Sequence, residues 1–590
     1  MEAFHLRSVG EEDDEDNHPQ VLLPGDDSLY SPFIRQVSEL IVAGFGKPDL
    51  GPFLFRRDSV PVFPNEESLR LEGMQAEYFV SWGERYFHPY KLRYDSKGRP
   101  ERVRRPMTKD VARVCLADFE FQRTLPSIER LYPLPVPVIT TGNKMHLCAP
   151  GYDRTSKTFV FTPSMPRDPD LTNPQDGLPG SHGYYDDRMS LTEAVRILYD
   201  LHKQFPFADW SPPFIPAEDS TFHDPAKPDV PIRTSRSLAV QIMSMLAIFA
   251  AGCAPQGANR LGFLYNANKQ RSGKSLLGKI ATIPVFGTFK GQSWREGLED
   301  MQKLLDSEVL AASPYICFDN IRSVIASEAL EAFMTSSTWT GRVLGKSQMF
   351  TGENNAILLF TANNGHLGAD MQQRLLICDL YIATADRQER EEDISDSDII
   401  DEVWLARADN RRRILSALWA IVRHWDAAGR PPATGKPRRG FETWCRIFAG
   451  MVEFAGFGDA LERPTDLDNC GDSESEDFEE FVRIASENHR KREMTFQEVV
   501  HILWENGLIP WCLHGREEYV ESLGKPSLKL DPKWSSRLGL LLKRNCSGER
   551  GQTFTLKDPD NGSTRRVKIY QQGKGSKKRY ITETNHSPNQ

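Results

Sequence analysis

Between Leu261 and Ile280 the chain reads LGFLYNANKQRSGKSLLGKI: an apolar run, a polar turn and a helix-forming run. The turn matches a phosphate-binding loop, G-x-x-x-x-G-K-[ST], except that Asn268 stands at the first glycine. Such a loop aims backbone N–H groups at phosphate oxygens and opens a helix at its Lys-Ser step, where the positive end of the helix dipole favours an anion. Asn is the non-glycine residue most tolerant of left-handed backbone, so Asn268 is the mildest replacement. The expected nucleotide-binding set is Asn268, Ser272, Gly273, Lys274 and Ser275. Lys274 would reach the β- and γ-phosphates of ATP, and the Ser275 hydroxyl would ligate Mg2+.

Two further apolar runs end in polar groups of the right kind. SPYICFDN delivers Asp319, in the form of a Walker B strand whose carboxylate helps hold the magnesium. AILLFTANN delivers Asn363 and Asn364, and an amide there can orient the attacking water beside the γ-phosphate. Asp319 lies 45 residues after Lys274 and Asn363 another 44 on, spacings that suit one compact domain. Between them, TWTGRVLGKSQMFTGENNA alternates and carries Arg342 and Lys346. It reads as a surface hairpin, or as one that grips a nucleic-acid backbone in a central channel.

These motifs need an alternating helix–strand core to position them, and residues from about 235 to 385 have that pattern. Around it we expect a disordered acidic N-terminus (1–28), an α/β domain (29–163) and a Pro/Gly/Asp-rich linker (164–189). The ATPase with flanking helices spans 190–460. An acidic linker (461–482), a winged-helix-like domain (483–583) and a tail (584–590) follow. In the C-terminal unit, MTFQEVVHILWENGL and PKWSSRLGLLLKRN read as amphipathic helices, followed by two or three strands. Cations at Arg537, Lys543, Arg544, Arg565, Arg566, Lys568, Lys577, Lys578 and Arg579 favour DNA over protein as its ligand.

The net charge is −9, yet residues 541–590 carry eleven Lys and Arg against four Asp and Glu, a basic end on an acidic body. No apolar run reaches the twenty residues of a membrane span, and the N-terminus lacks a signal-peptide core, so a cytoplasmic location is expected. The nine cysteines are scattered without a C-x-x-C pair. His146 and Cys148 sit close together, but no second pair stands at zinc-ligand spacing, so no structural zinc is expected.

The order of phosphate loop, Asp-ended strand, G-R-x-x-G-K hairpin, T-x-N strand and trailing arginine (TGRVLGKSQ, then TANN, then GHLGADMQQRLLICDL) resembles the superfamily 3 helicases of the AAA+ group. It is most similar to the helicase half of phage, plasmid and poxvirus-type primase-helicases of mobile elements. The likeness covers roughly residues 40 to 460, with LPVPVITTGNKMHLCAPGYD similar to the segment preceding the helicase. It implies a central P-loop AAA+ core in a multidomain α/β chain and a homo-oligomeric ring, expected as a hexamer. It also implies Arg374 as an arginine finger acting in trans and Lys346 as a contact to single-stranded DNA. Duplex at the C-terminal domain and a separate primase are further expected partners, since no Asp-x-Asp primase signature occurs in the first 230 residues. The chain departs from the pattern at Asn268, at Arg271 in place of a loop asparagine, and at Gln373 where relatives carry a second arginine. Walker B ends Asp319-Asn320, without the usual glutamate base. The expectation is an ATP-dependent DNA helicase or translocase in replication of a mobile element. The alternative is a nucleotide-gated DNA-binding initiator, loader or defence scaffold with little turnover.

Overall fold

Five short runs build the sheet that carries the phosphate loop. Gly262–Ala267 (β1), Gly291–Gln292 (β2), Tyr315–Ile321 (β3), Ile357–Asn363 (β4) and Leu375–Leu380 (β5) lie in the order β5-β1-β4-β3-β2. Every neighbouring pair is parallel. Strands covered on both faces read as continuous apolar runs, and Tyr315 to Phe318 and Ile357 to Ala362 are buried without interruption.

The computed structural model describes residues 18–25, 29–44, 54–140, 142–163, 165–172, 180–181, 183–210, 235–267, 271–321, 323–363, 365, 367–381, 400–462, 473–487, 491–506, 508, 538–539, 541–543, 545–546, 551–557, 564–573 and 578–585. They fall into two compact units. The first lies within Met1–Ile321, Ser327–Asn364 and Arg374–Glu462, the second within Arg322–Ala326, Gly365–Gln373 and Arg463–Gln590.

In the first unit the helices around the sheet are Leu191–His202 (α1), Arg236–Phe249 (α2), Lys274–Phe286 (α3), Leu298–Leu310 (α4), Ala408–Ala427 (α5) and Glu442–Phe454 (α6). The Ser190 hydroxyl caps α1 by accepting the Glu193 N–H. Every residue of α2 from Ser237 to Phe249 is buried, and its polar stripe of Ser237, Gln241 and Ser244 is hydrogen-bonded to Asp209, the Leu277 carbonyl and the Tyr265 hydroxyl. Trp419, Trp425 and Trp444 from α5 and α6 join the same core. The stretch 164–189, expected as a linker, is anchored in its described part. Tyr185 and Asp187 are buried, and Asp187 accepts the Ser181 N–H and the Trp419 indole N–H at 2.8 Å. Its Pro and Gly content hid the apolar anchors of GYYDDRM.

The N-terminal α/β segment has its own core around Phe33, Phe79, Trp82 and Phe121. It nonetheless belongs to the same unit as the nucleotide core rather than standing apart as a separate domain. Arg70 pairs with Glu308 of α4 at 2.9 Å, and a buried arginine adds a second link. Arg57 donates to the Ile128 and Glu353 carbonyls at 3.2 and 2.8 Å and pairs with Glu129 at 3.3 Å. Burial holds its guanidinium below the usual range against the pull of Glu129 and Glu353.

The second unit packs Ser473–Ala485 (α7) and Phe496–Glu505 (α8) on an antiparallel sheet of Lys491–Met494 (β6), Gln552–Lys557 (β7), Thr564–Gln572 (β8) and Arg579–Asn585 (β9), in the order β6-β9-β8-β7. Helix α7 lies largely in the stretch expected as an acidic linker. Phe478, Phe481, Val482 and Ala485 recur at i, i+3, i+4 and i+7 and are buried, a stripe masked by the surrounding acids. Thr495 and Glu498 form a capping box at the start of α8. Strand β6 makes the sheet larger than the expected two- or three-stranded wing. The second expected helix is described only at 538–539, 541–543 and 545–546, where Leu538, Leu541 and Leu542 are buried.

Breaking a buried ion pair leaves an uncompensated charge, so Arg57→Ala should cost about 3–5 kcal/mol. Denaturant unfolding should show the N-terminal segment and the nucleotide core destabilised together. A shift confined to one of them would contradict their union.

Candidate nucleotide site

The phosphate loop leaves β1 at Ala267, and its residues 268–270, Asn268 among them, lie outside the described residues. From Arg271 the turn is visible. Arg271 and Gly273 both adopt left-handed backbone, φ 61° and 95°. A Cβ on Gly273 would come within 2.9 Å of the Phe205 ring, so glycine is required twice over. Helix α3 then begins at Lys274 and runs thirteen residues, leaving its first N–H groups without intrahelical partners.

Lys274 and Ser275 reach across the C-terminal edge of the sheet. The Lys274 ammonium donates to Asn363 Oδ1 at 2.9 Å, and the Ser275 hydroxyl donates to Asp319 Oδ1 at 2.9 Å. Thus the loop, β3 and β4 bring four of the sequence-predicted groups together. Lys274 is buried, and burial draws its ammonium below the usual lysine range despite the attraction of Asp319. A buried cation held this way gains from an added anion.

Thr361, the threonine of the T-x-N strand, organises the acid, a role the sequence reading did not assign. Its hydroxyl donates to Asp319 Oδ1 at 2.6 Å and accepts the Asn320 N–H at 2.7 Å. The signal was a fully buried hydroxyl two residues before Asn363 in an otherwise apolar strand. Asn320 has φ 56°, at a point where the β3–β4 register shifts. A glutamate would be strained there, whereas asparagine tolerates it.

The residues fit a magnesium nucleotide. The Ser272 hydroxyl is buried with no hydrogen-bond partner among the described residues, an expensive state unless a ligand accepts from it. Beside it stand the open N-terminus of α3, the Lys274 ammonium, and the Ser275–Asp319 pair suited to a hard cation.

Arg374 stands immediately before β5, whose Leu375 is opposite Gly262 at the start of β1. It is therefore at the far edge of the sheet from its own phosphate loop, roughly 20 Å away at about 3.3 Å per residue. The hairpin sits at that far edge too. Thr338–Arg342 pairs antiparallel with Met349–Glu353, just ahead of β4. Asp306 of α4 accepts the Trp339 indole N–H at 2.7 Å and the Arg342 backbone N–H at 2.9 Å. Its carboxylate lies where a Cβ on Gly341 would fall, as the Arg57 guanidinium does for Gly352. Buried Arg260 holds the base through Asn355 Oδ1 at 2.9 Å. The tip is left exposed, with the Arg342 and Lys346 side chains in solvent and Leu344 beside them.

The cations of the second unit separate. Arg565 donates to the Arg483 carbonyl of α7 at 3.2 Å and so faces the helix side. Arg566 is exposed, and Lys568 and Lys578 lie over the rings of Tyr570 and Tyr580. Arg579 donates to the Lys578 carbonyl at 3.0 Å. Lys543 is exposed, while Arg537, Arg544 and Lys577 lie outside the described residues. Among the described residues no helix is long and apolar enough to cross a membrane.

No family model and no curated protein matches the chain. Among solved structures, one of JCV helicase is 13% identical over 37% of this chain and 55% of that chain, with a TM-score of 0.20. A second JCV helicase structure, with a thiazolopyridine-bearing acetamide bound, is 12% identical over 45% of this chain and 68% of that one, also at 0.20. The chain thus spans little more than half of the first structure's length. Likenesses this low carry no weight for fold or function.

Thr361→Val keeps the shape but leaves the Asn320 N–H unpaired and Asp319 held by Ser275 without its second hydroxyl. Stability should fall by about 1–3 kcal/mol. Calorimetric titration should show Mg2+-dependent ATP binding weakened roughly tenfold or more, as for other groups that orient metal ligands.

Proposed function

We propose that the chain is an ATP-driven DNA translocase or helicase that works as a ring. The observation that carries the reading is the convergence of Lys274, Ser275, Asp319 and Asn363 on one sheet edge, beside the unpartnered Ser272 hydroxyl. When bound, Mg-ATP supplies the phosphoanhydride bond whose hydrolysis drives the motor. Lys274 and the α3 N-terminus take the phosphate charge, Ser272 donates to a phosphate oxygen, and Ser275 with Asp319 holds the cation. Asn363, freed from Lys274, would orient water at the terminal phosphate.

Arg374 stands too far from its own loop to act there, which supports a role at a neighbour's site in a homo-oligomer. The exposed Arg342 and Lys346 at the hairpin tip suit the phosphates of a single strand in a ring channel. Arg566, Lys568, Lys578 and Lys543 suit additional DNA contacts by the second unit. A second reading, a nucleotide-gated DNA-binding scaffold with slow turnover, is favoured by one observation: the residue after Asp319 is an exposed asparagine in left-handed backbone rather than a carboxylate.

Hydrolysis measured with single-stranded DNA, duplex and no DNA separates the two. The motor reading expects stimulation by DNA, at least a hundredfold loss in Lys274→Ala (about 2.7 kcal/mol or more of barrier), and basal turnover without unwinding in Lys346→Ala. Binding of ATP with no hydrolysis under any condition would move the chain to the scaffold reading.

A further inference from the structure

His146, Cys148 and Asp153 belong to none of the machinery above. His146 lies on the strand Met145–Leu147, which pairs with Pro137–Ile139. Asp153 ends the strand Gly151–Asp153 of a different small sheet, paired with Thr158–Val160. Cys148 sits between them and is buried.

The three side chains converge on one atom. His146 Nε2 stands 3.1 Å and Cys148 Sγ 3.3 Å from Asp153 Oδ2. All three ligand atoms fall within 4.8 Å of one another. The Ser156 hydroxyl donates to the same oxygen at 2.9 Å, and the Thr155 N–H holds Oδ1 at 2.9 Å. Two side-chain donors, Cys148 and Ser156, already match the two lone pairs of that oxygen, and the His146 ring nitrogen stands against it as well, so hydrogen bonding alone is a crowded explanation of the cluster.

Metal coordination accounts for the two separations from Asp153 Oδ2, and the part-exposed His146 ring can turn to bring Nε2 toward Cys148 Sγ, from which it lies within 4.8 Å. Tetrahedral bonds of about 2.0–2.2 Å to N and O and about 2.3 Å to S put neighbouring ligand atoms roughly 3.2–3.7 Å apart. The two separations from Asp153 Oδ2 lie at or close to that range. An imidazole, a thiolate and a carboxylate also make a borderline-soft set, unlike the all-oxygen cages of Mg2+ or Ca2+. Ser156 and Thr155 supply the outer hydrogen bonds that fix a ligating carboxylate.

We propose that His146 Nε2, Cys148 Sγ and Asp153 Oδ2 form a three-ligand site for a zinc-class divalent cation, its fourth position open on the part-exposed His146 side. The cation ties together two small sheets that share no backbone ladder. The sequence hid the site because its third ligand is an aspartate five residues beyond Cys148, where a second Cys or His pair was sought.

The test uses the full chain, stripped with chelator and titrated with Co2+. One equivalent should give visible d–d bands and a thiolate-to-cobalt charge-transfer band, both removed by Zn2+. Cys148→Ala should lose the charge-transfer band. Asp153→Asn should bind at least tenfold more weakly, with its melting temperature raised less by Zn2+ than that of the wild type. Zn2+ should raise the wild-type melting temperature and leave that of Cys148→Ala unchanged. No saturable spectrum, or one that survives Cys148→Ala, would overturn the site. Because the readout is spectroscopic and independent of ATP, its failure is distinguishable from failure of the motor reading.

Discussion

Lys274 and Asp319 arise far apart in the chain, and they meet because β4 runs parallel between β1 and β3. The register places Ala267 beside Asn363 and Ala362 beside Ile321. All three strands therefore end at one level, and polar groups at those ends share one space while everything behind them is apolar. A two-residue slip in β4 would separate Asn363 from Lys274 and Thr361 from Asp319. The site is a property of that register more than of any single residue.

Two opposing effects on Lys274 show why the site calls for a ligand. Burial disfavours its charge, and Asp319 only partly offsets this. Asn363 gives it a neutral partner, while the Ser272 hydroxyl has none among the described residues. A polyphosphate answers both needs at once. At the other edge of the sheet the balance is reversed. Arg57, Arg260 and Asp306 are buried and hydrogen-bonded at the hairpin base, while the tip is exposed. On the proposed reading, one rigid sheet joins a nucleotide edge to a DNA edge.

Much of this frame was legible in the sequence because its signals are local. YICF, ILLF and GKS each announce their element, and the amphipathic runs at Leu191–His202 and Phe496–Glu505 announce theirs. What stayed hidden depends on distant partners or on misleading composition. Thr361 matters only through β3, and Asp306 only through a hairpin more than thirty residues later. Arg57 pairs with a carbonyl almost three hundred positions away. Acidic residues concealed α7, and Pro and Gly concealed the anchoring of Tyr185. The left-handed backbone of Asn320 was likewise not visible in the sequence.

The central claim is that the C-terminal edge of the sheet binds ATP through a cation held at Ser275 and Asp319. Equilibrium dialysis of labelled ATP against the intact chain, with Mg2+ and with chelator, tests it most directly. One ATP per chain is expected, held at least tenfold more tightly with Mg2+, with that difference lost in Asp319→Asn. No saturable binding, or equal affinity with and without Mg2+, would contradict the account.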